Sequence, residues 1–374
     1  MSDRPFDADA AGGRRAVLVN IQFLRCVAAL LVVLFHCSAH LRAAGHAPGP
    51  LFGFGRSAGF AGVDVFFVIS GFIMAWTTFG VAGGTAAFAF ARRRAARIYS
   101  GYWPFYLLAL GLFSMLGGYY LADTRFLSSA LLWPTELRQL LIPVSWTLIF
   151  EMWFYLLFTL LVAFSDAHRA RLLALLTLAA LGWTLYSQFW RQAYDRGALE
   201  TMSVYEQYLA FPFLLEFLAG ALLAGWLRKR PEGLAWTLLA AGAALFVTGG
   251  VINERAFGGN LIQGYYITWR VLIFGSAAVL IVAGLARLEP RGWTFPRRFS
   301  LWAGGASYAL YLGHTLVLAA THEMGLDAWL SRYPGWAAQA VFVGLAVLML
   351  AYSMAHYRWL ERPLHRLFRG WLRA

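Results

Sequence analysis

The sequence predicts an all-α polytopic membrane protein, a bundle of about ten transmembrane helices with both termini cytoplasmic. Three observations predict it. Of its 374 residues, 60% are hydrophobic and 13% charged, where a soluble domain averages about 25% charged. Apolar windows long enough to cross about 30 Å of hydrocarbon as a helix recur along the whole chain. The Lys and Arg residues also alternate between loops. With the N-terminus and every second loop taken as one side, that side holds 21 and the other 8, a positive-inside pattern that makes the first side cytoplasmic. The formal charge of +13 is therefore a topology signal and not a nucleic-acid footprint.

The windows fall near 19–40, 61–80, 98–120, 145–164, 171–190, 207–227, 234–252, 265–286, 300–321 and 337–357. The breaks are Gly/Pro-rich (45–55), charged (228–233) or both (287–298). The chain thus divides into a cytoplasmic tail (1–18), one transmembrane domain (19–357) and a second cytoplasmic tail (358–374). The first apolar run is too long for a signal-peptide core, so an uncleaved first span is expected.

That first run, NIQFLRCVAALLVVLFHCSAH, carries Arg25 and His36. Eleven positions apart, they share a helix face about 16 Å apart along the axis. Ionisable residues at membrane depth usually face protein or water, so the pair points to a polar pathway. Two unrelated boundary residues are the plainer reading. Cys26 and Cys37 lie on the same helix, too distant to bridge, and read as small core hydrophobes. Span two, GVDVFFVISGFIMAW, puts Asp64 at its outer end near the depth of His36. Asp64 is equally explained as an N-terminal residue favoured by the helix dipole. Gly71, seven residues on, lets another helix approach.

Before span three, RRRAARIY sets Arg94 and Arg97 at i and i+3, side by side and suited to gripping phosphate. Topological flanking explains a basic cluster as well. Span four, SWTLIFEMWFYLLF, carries Glu151 between Thr147 and Tyr155 on its own face, with Arg270 of span eight as a structural partner. Glu216 lies near mid-membrane in span six, where Arg25 is one partner within reach. Span nine aligns Ser307, Tyr311 and His314 in one polar stripe, and Glu361-Arg362-Pro363 marks a docked helix end at the cytoplasmic interface. The histidines are scattered and the cysteines share one helix, so no metal cluster is read.

The polar groups therefore fall at two levels. Arg25, Arg94 and Arg97 lie on the cytoplasmic side and suit a phosphate-bearing donor. His36, Asp64, Glu151, Tyr311 and His314 lie on the outer side and suit proton transfer. In this reading a donor enters from the cytosol and a group passes to an outer acceptor, with His36 as general base beside Glu151 or Asp64. Direct transfer and a covalent relay through the histidine both fit.

In order and at matching depth, these motifs resemble the acyltransferase 3 family of integral membrane sugar O-acyltransferases. Arg25 and His36 resemble its first-span pair, and Gly62-Val-Asp-Val-Phe-Phe-Val-Ile-Ser-Gly-Phe-Ile its second-span signature. Arg94-Ala-Ala-Arg97, Ser145-Trp146 with Glu151 and Phe154-Tyr155, Glu216-Phe217-x-x-Gly220, the Ser307–His314 stretch and Glu361-Arg362-Pro363 resemble later ones. The resemblance implies transfer of an acyl group, most often acetyl, from cytosolic acyl-CoA to a carbohydrate or glycolipid hydroxyl across a bacterial inner membrane. It makes His36 the essential histidine and Arg25, Arg94 and Arg97 the donor contacts. Ser145, Trp146, Tyr311 and His314 then serve the acceptor. Some members append an extracellular hydrolase-like domain that completes the transfer; this chain is expected to lack one, so that its membrane domain finishes the reaction or passes the group to another protein. The rival reading is a transporter or flippase of a lipid-linked sugar, which is expected to show repeated halves and interrupted helices in both.

Overall fold

A computed structural model describes residues 17–116, 121–191, 202–209, 211–229 and 233–372. Most of the 1–18 tail, residues 117–120 of the third expected span, and Arg4, Arg14, Arg15, Arg196, Arg230 and Arg373 of the loop count lie outside the described residues. Described residues form helices and no strand. In chain order these are α1 (Val19–Ala43), α2 (Pro50–Ala58), α3 (Gly62–Thr78), α4 (Gly84–Met115), α5 (Phe126–Leu131), α6 (Trp146–Val162), α7 (Asp166–Phe189) and α8 (Val204–Leu209). There follow α9 (Phe213–Lys229), α10 (Ala235–Ala256), α11 (Ile267–Arg270), α12 (Ser276–Leu288), α13 (Arg297–Glu323), α14 (Leu326–Leu330), α15 (Gly335–His356) and α16 (Arg362–Trp371). Two π-helical turns, Val271–Gly275 and Tyr357–Glu361, join α11 to α12 and α15 to α16.

Eight helical stretches among the described residues are long and apolar enough to cross a membrane. The expected spans 98–120 and 300–321 fall on α4 and α13, which are long but not among the eight. Both carry Ser, Tyr and Gly through their middles, and α13 adds His314. Those residues face the interior of the bundle, so the two helices trade apolar character for a polar lining. On α7 and α15, by contrast, Leu175, Leu178, Val347 and Leu348 are exposed, as lipid-facing surface requires.

α1 is the central post. It packs along α13 and against α2 and α3. Its first N–H groups are capped from far along the chain, where Glu289 accepts from Val19 (2.5 Å) and Asn20 (3.1 Å). A carboxylate there satisfies donors that a helix start otherwise leaves unpaired. The Asn20 side chain ties the same end to the carbonyls of Leu285 and Trp293.

The stretch 45–55, expected as a break, turns helical at Pro50, which sits in the first turn where its missing N–H costs nothing. Gly55, inside that stretch, is a packing device, since a Cβ on it would stand 3.0 Å from the Leu34 carbonyl oxygen of α1, and two glycines beyond the stretch act alike. A Cβ on Gly59 would stand 2.4 Å from the Leu31 carbonyl oxygen of α1, and one on Gly62 2.2 Å from that of Ala28. Only a missing side chain allows that approach. The expectation for Gly71 holds in the same way. Its Cβ would meet the Phe217 oxygen at 1.8 Å, and a Cβ on Gly220 would meet the Val68 oxygen at 2.1 Å. α3 and α9 thus cross backbone to backbone at a reciprocal glycine contact.

Because the obstacles are carbonyl oxygens that cannot step aside, Gly71→Ala and Gly220→Ala are each expected to destabilise the protein by about 1–3 kcal/mol. Gly225→Ala, which meets open space on the same helix α9, is expected to be neutral. Thermal unfolding of the purified variants in detergent measures all three.

Candidate active site

Two cavities meet inside the bundle. One, called inner because it lies toward the N-terminal end of α1, is lined by Arg25 of α1, Ser70 of α3, Arg94 and Arg97 of α4, Glu151 and Tyr155 of α6, and Ser307 and Tyr308 of α13. The other, called outer because it lies toward the C-terminal end of α1, is lined by His36, Arg270 and a bank of rings, Trp146, Phe150, Tyr208, Phe211 and Phe213. Tyr311 lines both. Its hydroxyl donates to the Val144 carbonyl (3.1 Å) and lies 3.0 Å from the Thr147 hydroxyl. That side chain, held at its tip, is part of the wall between the cavities.

In the inner cavity Arg94 and Arg97 face inward together, as their spacing predicts. Arg94 stacks over the rings of Phe90 and Tyr155, Arg97 over Tyr308. Arg97 Nη1 also donates to Glu361 Oε1 (2.6 Å), a fully buried carboxylate delivered by the second π turn. The Glu-Arg-Pro motif therefore docks as expected, and its anchor is one of the cavity's own cations. Arg25 donates to Gln22 Oε1 (3.2 Å). Three guanidinium groups stand against the carboxylates of Glu151 and Glu361, leaving an excess positive charge in a partly enclosed space. That is an environment for phosphate or pyrophosphate.

The carboxylates expected beside His36 are elsewhere. Glu151 belongs to the inner cavity, where it accepts from the Tyr155 hydroxyl (2.5 Å) and Ser70 (3.3 Å). Asp64, fully buried at the start of α3, grips Arg270 bidentately, with Nη2–Oδ2 at 2.7 Å and Nε–Oδ1 at 3.0 Å. Arg270 is thus paired with Asp64 and not with Glu151. A guanidinium buried at that depth is more costly to leave alone than a neutral imidazole, so it takes the nearest carboxylate. Glu216 also departs from its expected partner Arg25, lying against Gly275 and beside the Asp64–Arg270 pair.

His36 has a second histidine as its partner. His314 Nε2 lies 3.2 Å from His36 Nδ1, His314 Nδ1 lies 3.1 Å from the Leu310 carbonyl, and His36 Nδ1 lies 2.9 Å from the Val32 carbonyl. Carbonyls only accept, which assigns the tautomers when both rings are neutral. His314 carries its proton on Nδ1 and accepts on Nε2. His36 carries its proton on Nδ1, shared between Val32 and His314. The His36 Nε2 lone pair is then unengaged on a cavity-lining ring.

Among the other expected residues, Trp146 lines the outer cavity, Tyr311 divides the two, and His314 stands behind His36. Ser145 is fully buried and lines neither cavity. The sequence reading missed Arg270 as a cavity residue, although a charge inside an apolar span was signal enough. Tyr208 and Phe211 carried no comparable signal. Cys26 and Cys37 are buried free thiols, as read. The histidines, scattered in sequence, are not scattered in space, because His40, His322 and Asp327 converge at the outer end of α1.

A family model described as an acyltransferase domain matches residues 18–358. The chain belongs to the acyltransferase 3 family. It is similar to the exopolysaccharide production protein ExoZ of Rhizobium meliloti (strain 1021), 32% identical over 323 residues covering 82% of this chain and 90% of that protein. No solved structure matches it. Family membership makes the protein a multi-pass membrane acyltransferase and displaces the transporter reading.

Asp64→Ala strands the Arg270 cation in the bundle and is expected to cost about 3–5 kcal/mol. The double variant Asp64→Ala/Arg270→Met is expected to recover most of that loss. Unfolding midpoints of the single and double variants are the check.

Proposed function

We propose that the protein transfers an acyl group, acetyl in the simplest case, from cytosolic acyl-CoA to a hydroxyl of an exported exopolysaccharide or its lipid-linked precursor. The observation that carries this reading is the pair of cavities meeting at Tyr311, with arginines on one side and the free His36 Nε2 on the other. Family membership supports acyl transfer, and the name of the Rhizobium relative supports the class of acceptor. The loop charges support ten spans in a bacterial inner membrane with both termini cytoplasmic.

In this reading Arg25, Arg94 and Arg97 hold the donor's phosphates, and the thin arm bearing the thioester passes Tyr311. The acceptor lies across the rings of the outer cavity, Trp146 among them, where flat apolar faces suit a sugar. His36 Nε2 takes the proton of the acceptor hydroxyl as its oxygen attacks the thioester carbonyl. The C–S bond then breaks, and the thiolate leaves and recovers that proton from His36. While His36 is charged, its Nδ1–H donates to His314 Nε2 and the Val32 carbonyl, which spread the charge without taking it. His314 is a positioning residue. Asp64 sets Arg270 at the cavity wall, and Glu151 tempers the arginine cluster.

The test uses purified full-length protein with radiolabelled acetyl-CoA and exopolysaccharide oligosaccharides. Wild type is expected to acylate the acceptor. His36→Ala, correctly folded, is expected to lose about 10²–10⁴ in kcat, the usual worth of a general base. Arg94→Ala removes a charge-assisted grip and is expected to raise the donor KM by about tenfold or more with kcat little changed. Failure of well-folded wild type to turn over any acyl-CoA with any such acceptor would overturn the proposal.

A further inference from the structure

At the outer end of α1, one turn beyond His36, three potential ligands from three elements converge. His40 lies near the end of α1, His322 in the last turn of α13, and Asp327 in the first turn of α14, just past the left-handed Gly325. His40 Nδ1 lies 3.0 Å from Asp327 Oδ2, and His322 Nδ1 lies 2.7 Å from that same oxygen. One ligand atom from each side chain falls within 4.8 Å of the other two.

We propose that His40, His322 and Asp327 form a divalent-cation site, with zinc as the ion that suits it. Two imidazole nitrogens and a carboxylate oxygen are the three-residue donor set of a zinc site with one position left open. Ligand atoms on a tetrahedral zinc, at about 2.0–2.1 Å from the metal, stand roughly 3.3 Å apart. The two separations from Asp327 are within about 0.6 Å of that spacing. A direct hydrogen-bonded cluster is the alternative occupant of the same geometry. In it both imidazoles donate to Asp327 Oδ2, with Oδ1 3.4 Å from His40 Nδ1, whereas a cation uses both nitrogen lone pairs and the oxygen together. Burial is graded in the way an entry path needs, with Asp327 at 9% exposure and His322 at 52%.

The site's place gives it a task. His36 and His40 are four residues apart on α1, and His314 and His322 eight apart on α13. A cation there would clamp α1 to α13 about one turn outside the His36–His314 contact and hold the rotation of both helices. It does not depend on the acyl-transfer reading, and activity plays no part in its test.

Full-length protein, purified in detergent with any affinity tag removed, is stripped with EDTA and dialysed against zinc. Bound metal is then measured by mass spectrometry and stability by thermal unfolding. Wild type is expected to bind one zinc per chain and to gain thermal stability from it. His322→Ala, at a half-exposed position whose loss the fold tolerates, is expected to weaken zinc binding at least about tenfold and to abolish the thermal shift, as is Asp327→Asn. Elution profiles in size exclusion confirm that the variants are folded. Substoichiometric zinc on wild type, or equal zinc binding and thermal shift in wild type and folded His322→Ala, would overturn the proposal.

Discussion

Charge inside a bilayer is the constraint that shapes this protein. A guanidinium at mid-depth has no water to fall back on, so each one dictates which helix must stand beside it. Arg270 requires Asp64, which fixes α11 against α3. Arg97 requires Glu361, which brings the C-terminal turn onto α4. Arg169, at a helix start, donates to carbonyls of Thr78, Val81, Leu161 and Phe164 and so closes the ends of neighbouring segments. The apolar surface between these points supplies packing, but among similar lipid-like faces it says little about which face goes where. The ion pairs say it.

Both π turns sit at such pairs. Val271–Gly275 follows Arg270 directly, and Tyr357–Glu361 ends on Glu361. An extra residue in a helical turn shifts the phase of everything beyond it. Here it turns a charged side chain inward without disturbing the lipid face of the rest of the helix. Gly275 then leaves room for the Glu216 carboxyl beside the pair.

What was legible in the sequence was whatever one helix decides alone. Arg25 and His36 on one face, Arg94 beside Arg97, the Ser307–Tyr311–His314 stripe and the open side of Gly71 all follow from a period of 3.6, and all appear in the structure where that period puts them. What was not legible was rotation between helices. Whether Asp64 or Glu151 faces His36 depends on the phase of α3 and α6 about their own axes, and both turned toward cations. The His36–His314 contact joins positions 278 apart, and the His40–Asp327 contact positions 287 apart. No local pattern announces either. The break at 45–55 misled for a related reason. Gly55 is a loop signal to a single helix and contact surface to a pair. Two cavity-lining helices, α4 and α13, carry so many polar residues that apolar length alone understates them.

The wall at Tyr311 has a consequence for the cell rather than for the reaction. A membrane that holds a voltage places about 2.3 kcal/mol on each elementary charge per 100 mV. Where polar cavities narrow the low-dielectric part of a bundle, more of that voltage falls across the wall that separates them. A tyrosine pinned at its hydroxyl, with Val63 beside it and Thr147 behind, is therefore also electrical insulation. The side chains that divide the two cavities thus bear on the membrane's charge balance as well as on the site itself.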